Sequence, residues 1–322
     1  MTPDQRAERP LISVVIPAYN ESDCVDELAR RLRLVFDELA RYRFEVIIVE
    51  NGSVDDTYER LLKIRAEDDR FKIVQLSRNF LMEGGMTAGL LRASGDAAVI
   101  MSADLQDPPE IIPQMVEQWE AGYENVYGIV ANREGSSWFR RFCAAAFYWT
   151  INKLTSDSVP RDVSDFRLVD RRVYEAFNEL RERNRMVRAM FGWLGFRSAG
   201  ITYDRPERHA GVSHYRVIPT LGFAIRGILA SSRVPLKAIP FFGFGLSALS
   251  FVAIVVLTVQ ALFFGVPFPG FGTLVALSLL LAGFLFLLLG LVSEYVGMIY
   301  EESRARPIFI ERAALGFAED DT

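Results

Sequence analysis

Leu11-Ile12-Ser13-Val14-Val15-Ile16-Pro17-Ala18-Tyr19-Asn20-Glu21 decides the fold. Residues 11–16 are rich in Ile and Val and read as a buried strand, and the run then turns abruptly polar. Behind it, 24–40 places Val25, Leu28, Leu32, Val35 and Leu39 at alternating spacings of three and four, an amphipathic helix. The unit then repeats. Strands are expected at 44–49, 72–76 and 97–101, and helices around 56–66, near 85–93 and at 110–119. Such alternation predicts an α/β domain, its sheet mostly parallel with helices on both faces. Ligands of such sheets sit outside the carboxyl ends of the strands. Three polar clusters fall there: Pro17-Ala18-Tyr19-Asn20-Glu21, Glu50-Asn51-Gly52-Ser53, and Ser102-Ala103-Asp104-Leu105-Gln106-Asp107.

The 322 residues carry a formal net charge of −5, which argues against a nucleic-acid partner, because phosphate binding needs concentrated Lys and Arg. Cys24 and Cys143 are far apart and His209 and His214 are the two histidines, so neither a disulfide scaffold nor a zinc site is expected. A Ser-His-Asp triad is disfavoured for the same reason. Half of the residues are hydrophobic, yet 24% are charged, the mixture of two unlike parts.

The unlike part is visible at once. Residues 238–293 contain no Asp, Glu, Lys, Arg or His. A spanning helix needs roughly 20 apolar residues, and this stretch holds two such runs, 239–264 and 273–292, split by Val266-Pro267-Phe268-Pro269-Gly270. The prolines and glycine predict a turn, hence a two-helix transmembrane hairpin. Arg226, Arg233 and Lys237 flank the entrance, Arg304, Arg306 and Arg312 follow the exit, and the turn has no charge. The positive-inside bias therefore puts both termini and the α/β domain in the cytoplasm, on the inner face of the cell membrane. Met1 to Arg9 is polar and lacks the apolar core of a signal peptide. The expected organisation is a flexible 1–10, a cytosolic catalytic domain over 11–214, a juxtamembrane amphipathic helix over 215–237, the hairpin over 238–297 and a cytosolic tail over 298–322. The juxtamembrane helix would lie on the membrane surface or pack beside it.

The chemistry is narrowed next. No GxGxxG follows the first strand and no P-loop lysine occurs, so a dinucleotide or Walker-type site lacks its phosphate cradle. Oxygen ligands gather instead after 97–101, where Asp104 and Gln106 stand two apart and point the same way in an extended segment. Carboxylate and amide oxygens suit Mg²⁺ or Mn²⁺, which take few protein ligands plus substrate phosphates. Asp107, just before Pro108-Pro109-Glu110, is expected to cap the next helix.

In order, Val14-Val15-Ile16-Pro17-Ala18-Tyr19-Asn20-Glu21, Glu50-Asn51-Gly52-Ser53-Val54-Asp55-Asp56, Ser77-Arg78-Asn79-Phe80 and Ala103-Asp104-Leu105-Gln106-Asp107-Pro108-Pro109 resemble the family-2 glycosyltransferases. Asp165-Phe166-Arg167-Leu168, the run from Ser293 to Glu301, and Arg304-Ala305-Arg306-Pro307 extend the resemblance to the polyprenyl-phosphate group, the dolichol-phosphate mannose synthase and bactoprenol glucosyltransferase kind. It covers about 11–310. The resemblance implies a GT-A nucleotide-sugar (Rossmann-like) domain and inverting transfer from a nucleotide-sugar to a polyprenyl phosphate, for later glycan modification. It further implies that Pro17, Tyr19, Glu21 and Asn51 hold the nucleoside, with Ser102 and Ala103 lining the donor site beside Asp104. Asp104 and Gln106 would hold the metal. Arg133, Arg140, Arg141 and Arg208 match positions that meet phosphates, and Asp165 would orient the acceptor, act as a base, or hold Arg167. A homo-oligomer formed through the hairpins is compatible with it, as is a lipid-sugar flippase as partner.

The chain departs from the family pattern in places. Glu50-Asn51 stands for Asp-Asp, Ser102 for the first Asp of Asp-Ala-Asp, Leu81-Met82 for Gly-His, and His214 for Lys in the Arg208-to-His214 loop. Ser102 removes one negative charge beside the metal. A non-catalytic scaffold derived from the same fold is the alternative from another class. A processive polysaccharide synthase is disfavoured by the single hairpin and the lack of a Gln-x-x-Arg-Trp motif.

Overall fold

The computed structural model describes residues 9–131, 163–183, 185–205 and 270–317, with scattered positions between 239 and 263. Eight strands form one sheet: β1 (Leu11–Ala18), β2 (Arg43–Glu50), β3 (Phe71–Leu76), β4 (Ala97–Ile100), β5 (Asn125–Val130), β6 (Val163–Asp170), β7 (Ser198–Tyr203) and β8 (Glu311–Leu315). Their spatial order is β7-β5-β6-β4-β1-β2-β3-β8. The helices around it are α1 (Val25–Glu38), α2 (Thr57–Glu67), α3 (Leu81–Arg92), α4 (Ile112–Glu120), α5 (Arg171–Glu179) and α6 (Val187–Trp193).

β1 is central because both of its faces are apolar. Ile12, Val14 and Ile16 pack with Val25, Leu28, Leu32 and Phe36 of α1 and Met115 and Trp119 of α4. Val15 turns the other way, onto Met86 and Leu90 of α3 and Val173 and Phe177 of α5. The strand's period of two thus feeds two cores on opposite faces. Along α1, Val25, Leu28, Ala29, Leu32, Val35 and Phe36 are buried, the three-and-four stripe expected from sequence.

The strands β3-β2-β1-β4 run parallel. β6 is antiparallel to both β4 and β5, and β8 is antiparallel to β3. β5 and β7 pair in parallel, so four of the seven pairings are parallel, as expected, and the sheet is mixed only through β6 and β8. The parallel part came from helical crossovers legible in the sequence, whereas the direction of β6 is set by its long-range pairing, which hydrophobic pattern does not encode. β8 is a second departure. Residues 311–315 fall within the stretch assigned to a tail, yet they pair with β3, and Arg92 clamps Glu311 with Nη2–Oε2 at 2.6 Å.

A second compact unit holds α7 (Phe271–Ser303). Its segment Leu280–Ser303 is long and apolar enough to cross a membrane, and Leu285, Phe286, Leu289 and Val296 are exposed. At 33 residues the helix is about 50 Å long, against roughly 30 Å of hydrocarbon. Among the expected first span's residues, the described ones, such as 243, 251 and 255, are helical, while the rest of that span, the turn at 266–269 and the juxtamembrane helix lie outside the described residues.

Candidate active site

The order β3-β2-β1-β4 reverses direction at β1, so a crevice opens outside the carboxyl ends of β1 and β4. The loops there are tied to one another. Asn20 N–H donates to Ser53 Oγ at 3.0 Å, and Val54 N–H donates to Asn20 Oδ1 at 2.9 Å. Glu21 N–H donates to Thr57 Oγ1 at 2.9 Å, and Ser22 N–H to Asp55 Oδ2 at 3.3 Å. Burial pushes the Asp55 carboxyl up, but hydrogen bonds from Thr57 and Ser22 outweigh it and hold it below its usual value. Tyr19 stays exposed beside this stitched loop, and Pro17 is buried at the end of β1.

Asn51 is buried, and both ends of its amide serve the backbone: Phe80 N–H donates to Oδ1 at 2.8 Å, and Nδ2 donates to Leu81 O at 2.8 Å. One amide hydrogen remains for a ligand. Gly52, at φ +71°, lets this loop meet the next: a Cβ there would lie 2.6 Å from the Arg78 carbonyl carbon.

After β4, residues 103–107 form a turn rather than an extended segment, with Leu105 at φ +60° and Gln106 N–H donating to Asp104 Oδ1 at 3.2 Å. The extended geometry expected for Asp104 and Gln106 is thus replaced by an Asx turn, which a carboxylate two residues back readily makes. Ala103 and Asp104 are buried and Gln106 is partly exposed. Asp107 does not cap the next helix, whose N-cap is Pro108 with no side-chain cap. Pro108 and Pro109 lack N–H groups, which leaves the Glu110 N–H as the one donor in the usual reach of such a cap. Its carboxylate instead accepts Ser102 N–H at 3.0 Å, Ser102 Oγ–H at 2.6 Å and Tyr203 O–H at 2.8 Å.

Asp165, on β6, forms a bidentate pair with Arg188 of α6, at 2.7 Å (Nε–Oδ1) and 2.5 Å (Nη2–Oδ2). Burial pushes this carboxyl up, and the Arg188 charge and hydrogen bonds more than reverse that, holding it below the usual carboxylate range. Arg167, which the sequence offered as a partner, donates to the Ser164 carbonyl at 3.2 Å and stacks 4.7 Å over the Phe191 ring. Burial lowers its guanidinium to about 10. Glu83, in the first turn of α3, is in electrostatic reach of the pair: burial raises its carboxyl, and Asp165 adds to the rise. Arg188, Glu83, Tyr203 and Asp107's role were missed from sequence. Arg133, Arg140, Arg141, Arg208 and His214 lie outside the described residues.

The Rossmann-like sheet carries a buried acidic turn beyond β4, at the point where strand order reverses. The fold matches that of mannosyl-3-phosphoglycerate synthase from Rubrobacter xylanophilus, with a TM-score of 0.50 at 17% identity over 71% of this chain and 75% of that one. Residues 13–177 match the model for glycosyl transferase family 2, and the chain belongs to that family. It is 38% identical over 299 residues to an uncharacterized glycosyltransferase of Synechocystis sp., covering 93% of this chain and 94% of the relative. It is 33% identical over 299 residues to the bactoprenol glucosyl transferase of Shigella phage SfV, covering 93% and 97%.

Proposed function

We propose that this protein transfers a sugar, with inversion, from a nucleotide-sugar to a membrane polyprenyl phosphate, giving a lipid-monophosphate sugar. The observation that carries the reading is the 93% and 97% mutual coverage with a bactoprenol glucosyl transferase, which takes in the catalytic sheet and the apolar helix together. The donor's nucleoside would rest on Pro17, Tyr19, Glu21 and the remaining hydrogen of Asn51, with Ser102 and Ala103 beneath its diphosphate.

The donor atoms on the 102–107 turn fit a hard divalent ion: one buried carboxylate, Asp104, and one amide, Gln106. One carboxylate and one amide leave coordination positions open for substrate phosphates. Mg²⁺ or Mn²⁺ held there would neutralise the charge developing on the leaving diphosphate.

The acceptor phosphate is already anionic near neutral pH and needs no base, so the protein's work is positioning and charge stabilisation. Asp165 fits this. Its carboxylate is held by Arg188 and kept below the usual range, which makes it a poor base and a good anchor for a cation. Arg133, Arg140, Arg141 and Arg208 would take the acceptor phosphate with their planar forks. The apolar stretch would span the cell membrane twice, with both termini and the sheet cytoplasmic, where sugar nucleotides meet lipid headgroups. A homo-oligomer through the hairpins and a lipid-sugar flippase downstream complete the proposal.

The test is turnover in detergent with undecaprenyl phosphate, Mg²⁺ or Mn²⁺ and a panel of UDP-, GDP- and dTDP-sugars, with lipid product read by mass spectrometry. One donor giving a lipid monophosphate sugar, lost in Asp104→Ala, supports the reading. No product and no metal-dependent nucleotide binding would favour the scaffold.

A further inference from the structure

Asp107 is 1% exposed, a carboxylate taken fully out of water. Such a charge is tolerated only when donors surround it, and here they come from three separate segments. From its own turn, Ser102 gives its N–H at 3.0 Å and its hydroxyl at 2.6 Å to Oδ2. From the start of β6, Ser164 gives its hydroxyl to Oδ1 at 3.4 Å, one residue before Asp165. From the end of β7, Tyr203 gives its hydroxyl to Oδ1 at 2.8 Å, and Arg205 Nη2 stands 3.9 Å from the same oxygen. Burial, reinforced by the Asp107 charge, pushes the Tyr203 phenol well above its usual value, so it remains a donor at any physiological pH.

These segments are the ones that carry the proposed chemistry. The turn bears Asp104, β6 bears Asp165, and the chain beyond Arg205 reaches Arg208 three residues later. We propose that Asp107 is a positioning residue that locks the Asp104 turn to β6, which bears Asp165, and to the end of β7, holding these three in one geometry. The inference rests on the lipid-phosphate transferase reading. It assigns Ser102 a definite task as well: its hydroxyl hydrogen is committed to Asp107, which leaves Asp104 as the turn's carboxylate for a cation.

The geometry makes the neutral isostere informative. Oδ1 and Oδ2 both accept, on opposite sides. An asparagine has one accepting oxygen and one donating nitrogen, so whichever way it turns it loses either the Ser102 side or the Tyr203 side.

The experiment measures binding of UDP, GDP and dTDP with Mn²⁺ by calorimetry on the full chain in detergent, alongside Tm and the KM for undecaprenyl phosphate. The variants are Asp107→Asn, Tyr203→Phe and, as a stability comparator far from the crevice, Glu45→Gln. Loss of a residue that orients metal ligands typically weakens binding about 10- to 100-fold. Asp107→Asn is expected to weaken nucleotide–Mn²⁺ affinity at least about 10-fold. Tyr203→Phe should raise the lipid KM more than it weakens the nucleotide, and Glu45→Gln should lower Tm while leaving affinity intact. Wild-type binding matched by Asp107→Asn and Tyr203→Phe overturns this inference alone. A wild type that binds none of the nucleotides with Mn²⁺ sinks the proposed function and this inference together. Should Asp107→Asn fail to fold, Tyr203→Phe and Ser164→Ala decide the matter.

Discussion

Both ends of the sheet bury polar side chains and satisfy them within the protein, but among the described residues only the carboxyl end adds strained backbone. At the amino end of the parallel strands, Glu45 is buried and closed off by the protein itself. It accepts from Ser13 Oγ at 2.6 Å, from Ser94 N–H and Oγ at 2.8 Å each, and pairs with Lys72 Nζ at 2.6 Å. Gly95 N–H bonds Ser13 Oγ at 2.8 Å, and the Tyr174 hydroxyl bonds the Gly95 carbonyl at 2.6 Å. At the carboxyl end the backbone itself is bent out of its comfortable range. Asn20 after β1, Leu81 after β3 and Leu105 after β4 all have φ between +55° and +63°, three of the four non-glycine residues with positive φ among those described. Strain of this kind costs energy and persists where the surroundings over-determine it, most often at functional sites. One end of the sheet is built to be stable and the other to hold a shape for something else.

That contrast predicts different kinds of damage. Glu45→Ala leaves Lys72 and both serines without their partner in a buried setting, and should cost about 3–5 kcal/mol of stability. Denaturant unfolding would read this, and the variant's folded fraction should bind nucleotide like wild type. Asp104→Ala is the mirror case: kcat should fall at least about 100-fold, as for loss of one charge-stabilising group, with little change in unfolding midpoint. A Glu45 variant that lost affinity, or an Asp104 variant that lost mainly stability, would break the comparison.

Glu83 sharpens it through pH. Its carboxyl is raised in the fold by burial, with the Asp165 charge adding, so the folded state holds its proton more tightly than the unfolded chain does. The resulting stability is present below the ordinary glutamate value and is lost as pH rises through the folded value. Glu83→Gln should therefore match wild type in acid and overtake it in Tm as pH climbs toward neutrality. A gap that is constant with pH would mean Glu83 is not ionising against Asp165. The smallest effect concerns Leu81, 68% exposed and at φ +63° at the head of α3. Leu81→Val, β-branched in the left-handed region, should cost about 1–2 kcal/mol, whereas Leu81→Gly should be tolerated, both read from urea midpoints.

Much of this was legible in the sequence, for a physical reason. Each of β1 to β4 is an apolar run followed by a polar cluster, and α1 between the first two carries a three-and-four stripe, whereas α3 is buried along Gly84 to Leu90 without one. The rest depended on distance along the chain. β5, β6 and β7 were not expected as strands: β6 reads Val-Ser-Asp-Phe-Arg-Leu-Val-Asp without alternation, and its pairing with β4 and β5 sets its direction. Asp165 and Arg188, 23 residues apart, meet only through the packing of α6. β8 reads Glu-Arg-Ala-Ala-Leu, with no strand propensity to speak of, and is held by β3, by the Arg92–Glu311 pair and by Phe317 under Lys72 and Arg92. Asp107 stands ahead of a helix, the usual place of a cap, but its carboxylate is taken by Ser102, Ser164 and Tyr203, two of them distant in the chain.

In the proposed reaction the acceptor is an anion that attacks without a base. The most direct measurement compares undecaprenyl phosphate with undecaprenol, the same lipid bearing a neutral hydroxyl, under the donor and metal that support turnover. Sugar transfer to the phosphate and none to the alcohol is expected across the pH range in which the phosphate is ionised. Transfer to the alcohol at a comparable rate would require a base in the crevice and would contradict it.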